Sequence, residues 1–322
     1  MNEITCSNCH HLNRPGASFC AMCGRKLEIA VSVAGDESPT QPSRTSAGGE
    51  PPGENSQTMP APKSHEFRVG HQTDVGRRRE INEDSLLVLD YLCANRSIRR
   101  PVGLYVVADG MGGHEGGEIA SGLLVRSLAR QAASEWLPRV IEPQENPLEA
   151  GGWLAGAIQK GNAELYEWAH EAGYEMGTTV VAALVLTDRA YIAHVGDSRA
   201  YRITGAAIEQ LTIDHSLVES LVATNQISRE EARNHPQANV IYRTVGDHPR
   251  VTVDVTEITL APGDKLLLCS DGLSGMLSDE TILAEVSAAA SLETACENLI
   301  DAANRAGGDD NSTVILIELK SP

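Results

Sequence analysis

The stretch Thr178-Thr-Val-Val-Ala-Ala-Leu-Val-Leu186 is apolar and rich in β-branched residues along nearly its whole length. A second stretch of this kind is Thr313-Val-Ile-Leu-Ile-Glu-Leu319. A strand with one solvated face alternates apolar and polar side chains, whereas a strand covered on both faces is apolar throughout. We therefore predict that both stretches are strands in the interior of a layered fold.

Other apolar runs with the length and composition of strands lie on both sides of the first stretch. The full set of predicted strands is Glu66–Thr73, Ser85–Leu92, Gly103–Ala108, Thr178–Leu186, Arg189–Val195, Ala200–Thr204, Val251–Thr259, Lys265–Ser270 and Ser312–Leu319.

Helical periodicity fills the gaps between these runs, as in Glu118–Trp136, where apolar residues recur at three- and four-residue spacing. The other predicted helices are Gly151–His170, Val218–Ala223, Arg229–Asn234, Asp279–Ser287 and Leu292–Ala306. We predict Asp279 as an N-cap and Gly307-Gly308 as the end of the last helix. Because strands come in runs with pairs of helices between them, an α+β arrangement of layers is favoured over a doubly wound sheet.

Length and charge narrow the functional classes. The 322 residues suffice for one large domain or two ordinary ones. A formal net charge of −18 argues against general nucleic-acid binding, which needs a basic face. No run of about 18 apolar residues occurs and the first residues do not resemble a signal peptide. We therefore expect a cytoplasmic protein that does not enter a membrane.

The cysteines are unevenly distributed, with a cluster at Cys6, Cys9, Cys20 and Cys23. Two Cys-x2-Cys knuckles can close a tetrahedral Zn²⁺ site, so residues 1–28 are predicted to form a zinc ribbon. Residues 29–64 are rich in Pro, Gly, Ser and Thr and are predicted to be a disordered linker. The remaining domain spans residues 65–320. Few basic residues surround the knuckles, which favours protein binding or localisation as the role of the ribbon.

Acids that stand beside glycine, asparagine or another acid are scattered along the domain. They are Asn82-Glu83-Asp84, Asp109-Gly110, Gly196-Asp197, Asp271-Gly272 and Asp309-Asp310-Asn311. A single Asp-Gly is usually only a turn. Several such acids at the ends of predicted strands can converge on one rim, where their charges repel unless cations neutralise them. Carboxylate oxygens suit Mg²⁺ or Mn²⁺, which favours a hard-metal site.

Two competing interpretations are excluded by their missing residues. The glycine-rich segment after Asp109 lacks the Gly-Lys-Ser/Thr ending of a P-loop, and Glu115 stands where a dinucleotide loop needs its third glycine. A cysteine phosphatase is excluded because Cys269 does not begin a Cys-x5-Arg loop.

Motifs in a fixed order across residues 65–320 carry a family resemblance. They are Thr73-Asp-Val-Gly-x-x-Arg79-x-x-Asn82-Glu-Asp84, Val-Ala-Asp109-Gly-Met-Gly-Gly-His114, Gly177-Thr-Thr179, His194-Val-Gly-Asp197-Ser-Arg199-Ala-Tyr, Asp214-His215, Ser270-Asp271-Gly-Leu and Asp309-Asp310-Asn311. This order resembles the metal-dependent Ser/Thr protein phosphatases of type 2C, in their bacterial branch. The resemblance implies a central β-sandwich of two mainly antiparallel sheets flanked by helices, in α-β-β-α layers.

The same resemblance implies the metal ligands. Asp109 would bridge two Mn²⁺ or Mg²⁺ ions, the Gly110 carbonyl would contact one of them, and Asp271 and Asp310 would complete the other site. Glu83 and Asp84 would hold metal-bound waters, and Asp197 with Asp271 would form a third, looser site. A hydroxide that bridges the metals would attack the phosphoryl group directly, without a phosphoenzyme.

Roles around the metals follow in the same way. Arg79 would grip the phosphate, Asn311 would support Asp310, and a mobile flap would run from Asp214-His215 to about Arg243. Many eukaryotic relatives have a proton-donating histidine where this chain has Met111, so the donor is either His114 or a metal-bound water. His114 could equally be only a structural loop residue.

The implied partners are phosphorylated proteins, in particular substrates of bacterial Ser/Thr kinases, and the chain is expected to act as a monomer. Two alternatives remain. One is a non-catalytic sensor built on the phosphatase fold, which the presence of every metal acid disfavours. The other is a binding module in which the zinc ribbon carries the main function.

Overall fold

The computed structural model describes residues 4–6, 12–13, 66–95, 98–112, 116–141, 149–233 and 235–320. Residues 4–6 and 12–13 belong to a small unit and the other described residues to a large one. In the small unit, strands β1 (Ile4–Thr5) and β2 (Leu12–Asn13) pair antiparallel, and Cys6 is buried. The predicted ligands Cys9, Cys20 and Cys23, the predicted linker and His114 lie outside the described residues.

The large unit contains two antiparallel sheets. The first sheet has the order β10 (Ala207–Gln210), β9 (Arg199–Thr204), β12 (Lys265–Cys269), β13 (Ser312–Lys320) and β3 (Glu66–Asp74). The second sheet has the order β11 (Asp254–Thr259), β8 (Arg189–Val195), β7 (Val180–Leu186), β5 (Ile98–Gly112) and β4 (Asp84–Asn95), and β6 (Met176–Thr178) pairs with the end of β5.

The interior strands are buried on both faces, as their sequences predict. Along β7, Val181, Ala183 and Val185 point between the two sheets, whereas the alternate residues Val180, Ala182 and Leu184 point toward the helices. Strand β13 follows the same alternation, with Ile315, Ile317 and Leu319 between the sheets. Apolar side chains therefore fill both layers, and their burial at about 25 cal/mol per Å² is the main force that holds the sheets together.

Helices cover the outer face of each sheet. The second sheet is covered by α1 (Gly117–Gln131), a π-helical turn (Ala132–Trp136), α2 (Leu137–Ile141) and α3 (Ala150–Ala172). The first sheet is covered by α6 (Asp271–Ser274), α7 (Asp279–Ala288) and α8 (Leu292–Ala306). Helices α4 (Leu217–Ala223) and α5 (Arg229–Arg233) lie between β10 and β11 in the chain. The predicted α-β-β-α layers are confirmed. None of the described helices is long and apolar enough to cross a membrane.

Three local predictions were wrong. The helix predicted over Glu118–Trp136 is interrupted, because the Leu137 N–H bonds to the carbonyl of Ala132 five residues back and Pro138 has no N–H to continue the regular pattern. The N-cap of α7 is Ser278, whose hydroxyl accepts from the Thr281 N–H, and not Asp279.

The third error is the start of β11. The strand predicted from Val251 begins at Asp254, whose cross-strand partner is His194. Gly196 directly follows β8, and its φ of +106° turns the chain away from β11. Val251 and Val253 therefore have no strand to pair with there, and they pack against the core instead. The short elements β6, β10 and α6 were not predicted separately, because each has too few residues to show a period.

Candidate active site

Several predicted acids meet at one rim of the sandwich. Asp84 is the first residue of β4 and stands directly opposite Asp109 of β5 in the antiparallel register. Asp271 opens α6 immediately after β12, and its carboxyl group shares a hydrogen bond with that of Asp109. Acids that are far apart in the chain, such as Asp84 and Asp271 with 187 positions between them, therefore act on each other's charge because the two sheets are packed face to face.

The carboxyl groups of this rim cannot all be ionised without a cation. The pKa of Asp84 is raised to about 7 and that of Asp197 to about 8, in both cases chiefly by loss of solvent, with a contribution from the negative charge of Asp271. The pKa of Asp109 is raised well above its usual range, first by desolvation and then by Asp84 and Asp271. Desolvation also raises the pKa of Asp271. Divalent cations would remove this conflict, as the sequence predicts.

Two oxygen atoms support a metal site directly. Asp84 Oδ1 and Asp271 Oδ1 are fully buried, and neither has a hydrogen-bond partner within the described ranges. The other oxygen of Asp84 accepts a hydrogen bond of 2.8 Å from the Ser270 hydroxyl, which fixes the orientation of the carboxylate. A buried carboxylate oxygen without a partner is costly, and oxygen donors are what Mg²⁺ and Mn²⁺ prefer. The residues present therefore fit hard divalent cations.

Asp310 is placed beside the predicted phosphate-binding residue. Arg79 Nη2 donates to Asp310 Oδ2 at 2.6 Å, while about half of the Arg79 side chain stays exposed. The neighbouring acid Asp309 pairs instead with Arg78 on the outer surface, at 2.8 Å. Of the two adjacent acids, only Asp310 faces the rim.

Asn311 does more than the predicted support of Asp310. Its backbone N–H donates to Asp310 Oδ1 at 2.9 Å, which agrees with that prediction. Its side-chain amide donates to the carbonyls of Val75 and Ile81 at 2.9 and 3.0 Å. Asn311 therefore fixes both the acid and the loop that carries Arg79.

Glu83 lies at the N-terminus of α1. Desolvation raises the pKa of its carboxyl group, and the Gly117 backbone N–H, the first of the helix, opposes that shift. The Glu83 carbonyl accepts from the Gly110 N–H at 3.2 Å and from the Ser121 hydroxyl at 2.6 Å. These bonds tie the Glu83 loop to the end of β5, which carries Asp109.

A pair of buried hydroxyl groups links the Asp109 and Asp197 loops, and the sequence assigned them no role. The Asp109 N–H donates to Thr179 Oγ1 at 3.1 Å, and Thr179 Oγ1 bonds to Ser198 Oγ at 2.6 Å. Gly196 closes the second loop with its positive φ, and a Cβ at that position would lie 2.7 Å from the Thr179 side chain. Only glycine fits there. The Thr178-Thr179 pair before β7 was the only sequence feature that could have indicated this hydroxyl link.

The first residues of the predicted flap are anchored to the rim. Arg199 Nε and Nη2, which form one edge of the guanidinium, donate to the Asp214 carboxylate at 3.0 and 2.6 Å. The Asp214 side chain is only 8% exposed, so this ion pair is shielded from solvent. The flap therefore leaves the sandwich from a fixed point next to the Asp197 loop.

A second cluster holds the other end of the flap. His215 Nδ1 accepts from the Gly196 N–H at 3.0 Å, and His215 Nε2 lies 3.2 Å from Asp254 Oδ2. Arg243 Nη1 donates to Asp254 Oδ1 at 2.8 Å. Burial lowers the pKa of both His194 and His215, so both rings are neutral near pH 7. We name this cluster of His194, His215, Arg243 and Asp254 the flap latch.

The flap latch is not arranged as a metal site. Its two histidines and Asp254 are the only His, Cys, Asp or Glu trio of the described chain whose ligand atoms all lie within 4.8 Å of one another. The two imidazole rings are stacked with centroids 4.7 Å apart and an interplanar angle of 9°. Because imidazole lone pairs lie in the ring plane, two nearly parallel stacked rings cannot both aim at one ion. Arg243 also occupies the position between the nitrogen and the carboxylate.

Comparisons with known proteins show the family of the chain. The family described as protein phosphatase 2C matches residues 80–305. The serine/threonine phosphatase stp of Listeria monocytogenes serotype 4b is 38% identical over 255 residues, which cover 79% of this chain and 94% of that protein.

Two solved structures extend the similarity to the fold. The serine/threonine phosphatase Stp1 from Staphylococcus aureus aligns with a TM-score of 0.69 at 37% identity, over 80% of this chain and 96% of its own. The catalytic domain of the phosphatase PstP, solved in complex with two manganese ions, aligns with a TM-score of 0.66 at 33% identity, over 80% and 100% of the two chains.

Proposed function

The chain belongs to the protein phosphatase 2C family, and from that premise we propose how its residues hydrolyse phosphoserine and phosphothreonine. It is a serine/threonine phosphatase. The mechanism rests on the rim of desolvated carboxylates, in which Asp84 Oδ1 and Asp271 Oδ1 have no hydrogen-bond partner within the described ranges. Arg79 lies beside this rim with about half of its side chain exposed.

The rim residues hold the cations. We assign Asp109, the Gly110 carbonyl, Asp271 and Asp310 as ligands of two Mn²⁺ or Mg²⁺ ions, with Asp197 at a third site. When bound, the cations neutralise developing negative charge on the phosphoryl oxygens and lower the pKa of water. Glu83 and Asp84 orient the site from behind, and Ser270 holds Asp84 in place.

Arg79 positions the substrate. Asp310 holds one edge of its guanidinium, which leaves the other edge free to donate to two phosphate oxygens. Asn311 fixes the loop beneath it, so the guanidinium does not have to be ordered by the substrate. Arg79 thereby distinguishes a phosphate site from a general metal site.

The leaving alkoxide needs a proton that Met111 cannot give, because a thioether carries none. The donor is His114 or water, and the sequence leaves both open. A His114→Ala variant separates them. If His114 is the donor, the loss of kcat is large for phosphothreonine, whose alkoxide is a poor leaving group. The loss is then small for p-nitrophenyl phosphate, whose leaving group needs no proton.

The N-terminal unit is proposed to bind one Zn²⁺ through Cys6, Cys9, Cys20 and Cys23. The pairing of β1 with β2 brings the chain back on itself around Cys6, and Cys6 is buried in a unit with few apolar residues. Metal analysis of the full chain should find one zinc per molecule. A Cys20→Ser, Cys23→Ser variant that retains the zinc would contradict this assignment.

The test of the phosphatase mechanism is release of inorganic phosphate from a phosphothreonine peptide by the full chain. We expect turnover with Mn²⁺ and none with EDTA. Equal turnover in both conditions would contradict the metal assignment. In the cell the substrates are proposed to be phosphoproteins made by a Ser/Thr kinase, because the rim recognises the phosphoryl group and not a particular sequence.

A further inference from the structure

A cleft of about 530 Å³ lies next to the rim, outside the residues assigned to the reaction. Its floor is Met111 and Gly112, which continue β5 beyond Asp109 and Gly110. The C-terminal part of α3, with Tyr166 and His170, lines the cleft together with the segment that ends the flap. The cleft therefore lies close to Asp109 along β5.

The cleft is rich in side chains that bind apolar groups. The Tyr166 and His170 rings are stacked with centroids 6.1 Å apart, and Met111 and Met176 supply two polarisable thioethers. Tyr174 stands 41% exposed at the mouth and stacks on Trp168. Exposed aromatic side chains next to a cleft are typical of surfaces that bind another chain.

The charge of the cleft is one-sided. Glu175 and Asp247 line it and are both exposed, and its described lining residues include no lysine or arginine. The Asp247 side chain is 66% exposed, and His248 lies beside it at 3.7 Å. A basic group on a substrate would meet these two carboxylates without having to displace a cationic side chain of the enzyme.

We infer that this cleft binds the peptide segment next to the phosphorylated residue, and that it selects an apolar or aromatic side chain accompanied by a lysine or arginine. The inference rests on the proposed phosphatase function. Distances agree with it, because Met111 lies two residues beyond Asp109 on an extended strand, or about 7 Å. A substrate residue two or three positions from the phosphothreonine covers a similar distance along an extended chain.

The cleft is better suited to a peptide than to a small cofactor. Its mouth is lined by exposed residues of the flap end and of α3, so a ligand would remain open to solvent on one side. The flap end is fastened to β6 by paired backbone bonds between Thr178 and Val245, of 2.8 and 2.9 Å, which fix the position of this part of the lining. A groove with a fixed lining and one open side admits a continuous chain.

The test measures kcat/KM of the full chain with Mn²⁺ on two kinds of substrate. One is a set of phosphothreonine peptides that carry Phe or Ala, and Lys or Glu, at each position within three residues of the phosphothreonine. The other is p-nitrophenyl phosphate, which is too small to reach the cleft. Salt of about 0.15 M limits long-range charge effects to roughly 8 Å.

We expect the wild type to prefer its best Lys peptide over the matched Glu peptide by about tenfold, the size expected of two exposed ion pairs. Glu175→Lys combined with Asp247→Lys should abolish or reverse that preference. Tyr174→Ala should remove the preference for Phe over Ala, and Tyr174→Phe should keep it. Asp301→Lys, on the exposed face of α8, is the charge control and should change neither preference.

Activity on p-nitrophenyl phosphate should stay within about twofold of wild type in all of these variants. The inference is overturned if the variants leave both peptide preferences unchanged, or if they lower activity on both kinds of substrate equally. A failure of the phosphatase function would look different, because the wild type would then release no phosphate from any substrate. In that case the proposed role of the cleft would also be wrong.

Discussion

The acid rim and the flap are neighbours with opposite physical character. In the rim, Asp109 and Asp271 share a hydrogen bond and stand at the ends of strands that are buried on both faces. In the flap, helices α4 and α5 have no buried residue at all. The flap is held by ion pairs at its two ends, Arg199 with Asp214 and Arg243 with Asp254.

This contrast separates the two parts of the function. Rim atoms are fixed by the packing of the sheets, so a change of one oxygen there alters the chemistry itself. Flap residues are fixed by a few polar contacts, so changes there should alter substrate access in a graded way. Four predictions follow this division, from the rim outward.

Asp109→Asn should have the largest effect, because it removes a charge that the cations need while it preserves shape. We expect kcat/KM for a phosphothreonine peptide to fall about 10³-fold or more, which corresponds to about 4 kcal/mol. Mn²⁺ binding, measured by calorimetry, should weaken in parallel. The matched control is Asp309→Asn, since Asp309 faces solvent and pairs with Arg78. If both variants lost activity equally, the rim assignment would be wrong.

Arg79→Lys should have the next largest effect. Lysine keeps the charge but loses the planar fork, so it cannot contact two phosphate oxygens at once. We expect a loss of about 10²-fold in kcat/KM with little change in Mn²⁺ affinity. Arg78→Lys, one position earlier and 70% exposed in its side chain, should behave as wild type. A variant with normal phosphate affinity would show that Arg79 only supports Asp310.

The stability of the metal-free chain should fall as pH rises from about 5 to 8. Asp84 and Asp197 keep protons in the folded state up to pH values of about 7 and 8, whereas an unfolded aspartate loses its proton near pH 4. The folded state therefore binds more protons in this window, and its stability declines as pH rises, by up to about 1.4 kcal/mol per pH unit for each proton that is retained.

Denaturant unfolding in EDTA at several pH values measures this decline. Mn²⁺ should stabilise the chain more at pH 8 than at pH 5, since it binds the ionised carboxylates. Asp84→Asn carries no titrating proton and should flatten the pH dependence, whereas Asp309→Asn should not. Stability that rises with pH in EDTA would refute the predicted charge conflict.

Asp254→Asn should have the smallest effect, because it weakens only the flap latch. We expect KM for a phosphopeptide to rise by about twofold to fivefold, the range of a partly exposed ion pair, with kcat for p-nitrophenyl phosphate unchanged. Glu257→Gln, on the same strand and paired with Arg189 at the surface, is the control. An equal loss on both substrates would place Asp254 in the support of the rim and not of the flap.

Sequence periodicity predicted most elements well. The bounds of Arg189–Val195 and Leu292–Ala306 were predicted as observed. In both segments the spacing of the apolar residues fits only one type of secondary structure. The π-helical turn at Ala132–Trp136 could not be predicted from periodicity, since its geometry depends on one proline and on local packing.

The acids of the rim were also foreseeable from their places after strands, and the family resemblance supplied their roles. What the sequence could not show is which hydroxyl groups and which arginine side chains support the site. The bond between Thr179 and Ser198, and the pairing of Arg243 with Asp254, join segments that carry no shared pattern. Such contacts depend on how the layers stack, so they become visible only in the folded structure.

The pairing of β3 with β13 has a consequence for how the enzyme is made. Ser312 is the cross-strand partner of Asp74, so the ladder closes a loop of more than two hundred residues. Arg79 follows one of these strands, and Asp310 precedes the other. Contacts so distant in sequence form slowly, because the entropy of closing the loop must be overcome first. A nascent chain therefore cannot hydrolyse a phosphoester until β13 has been synthesised and has paired with β3.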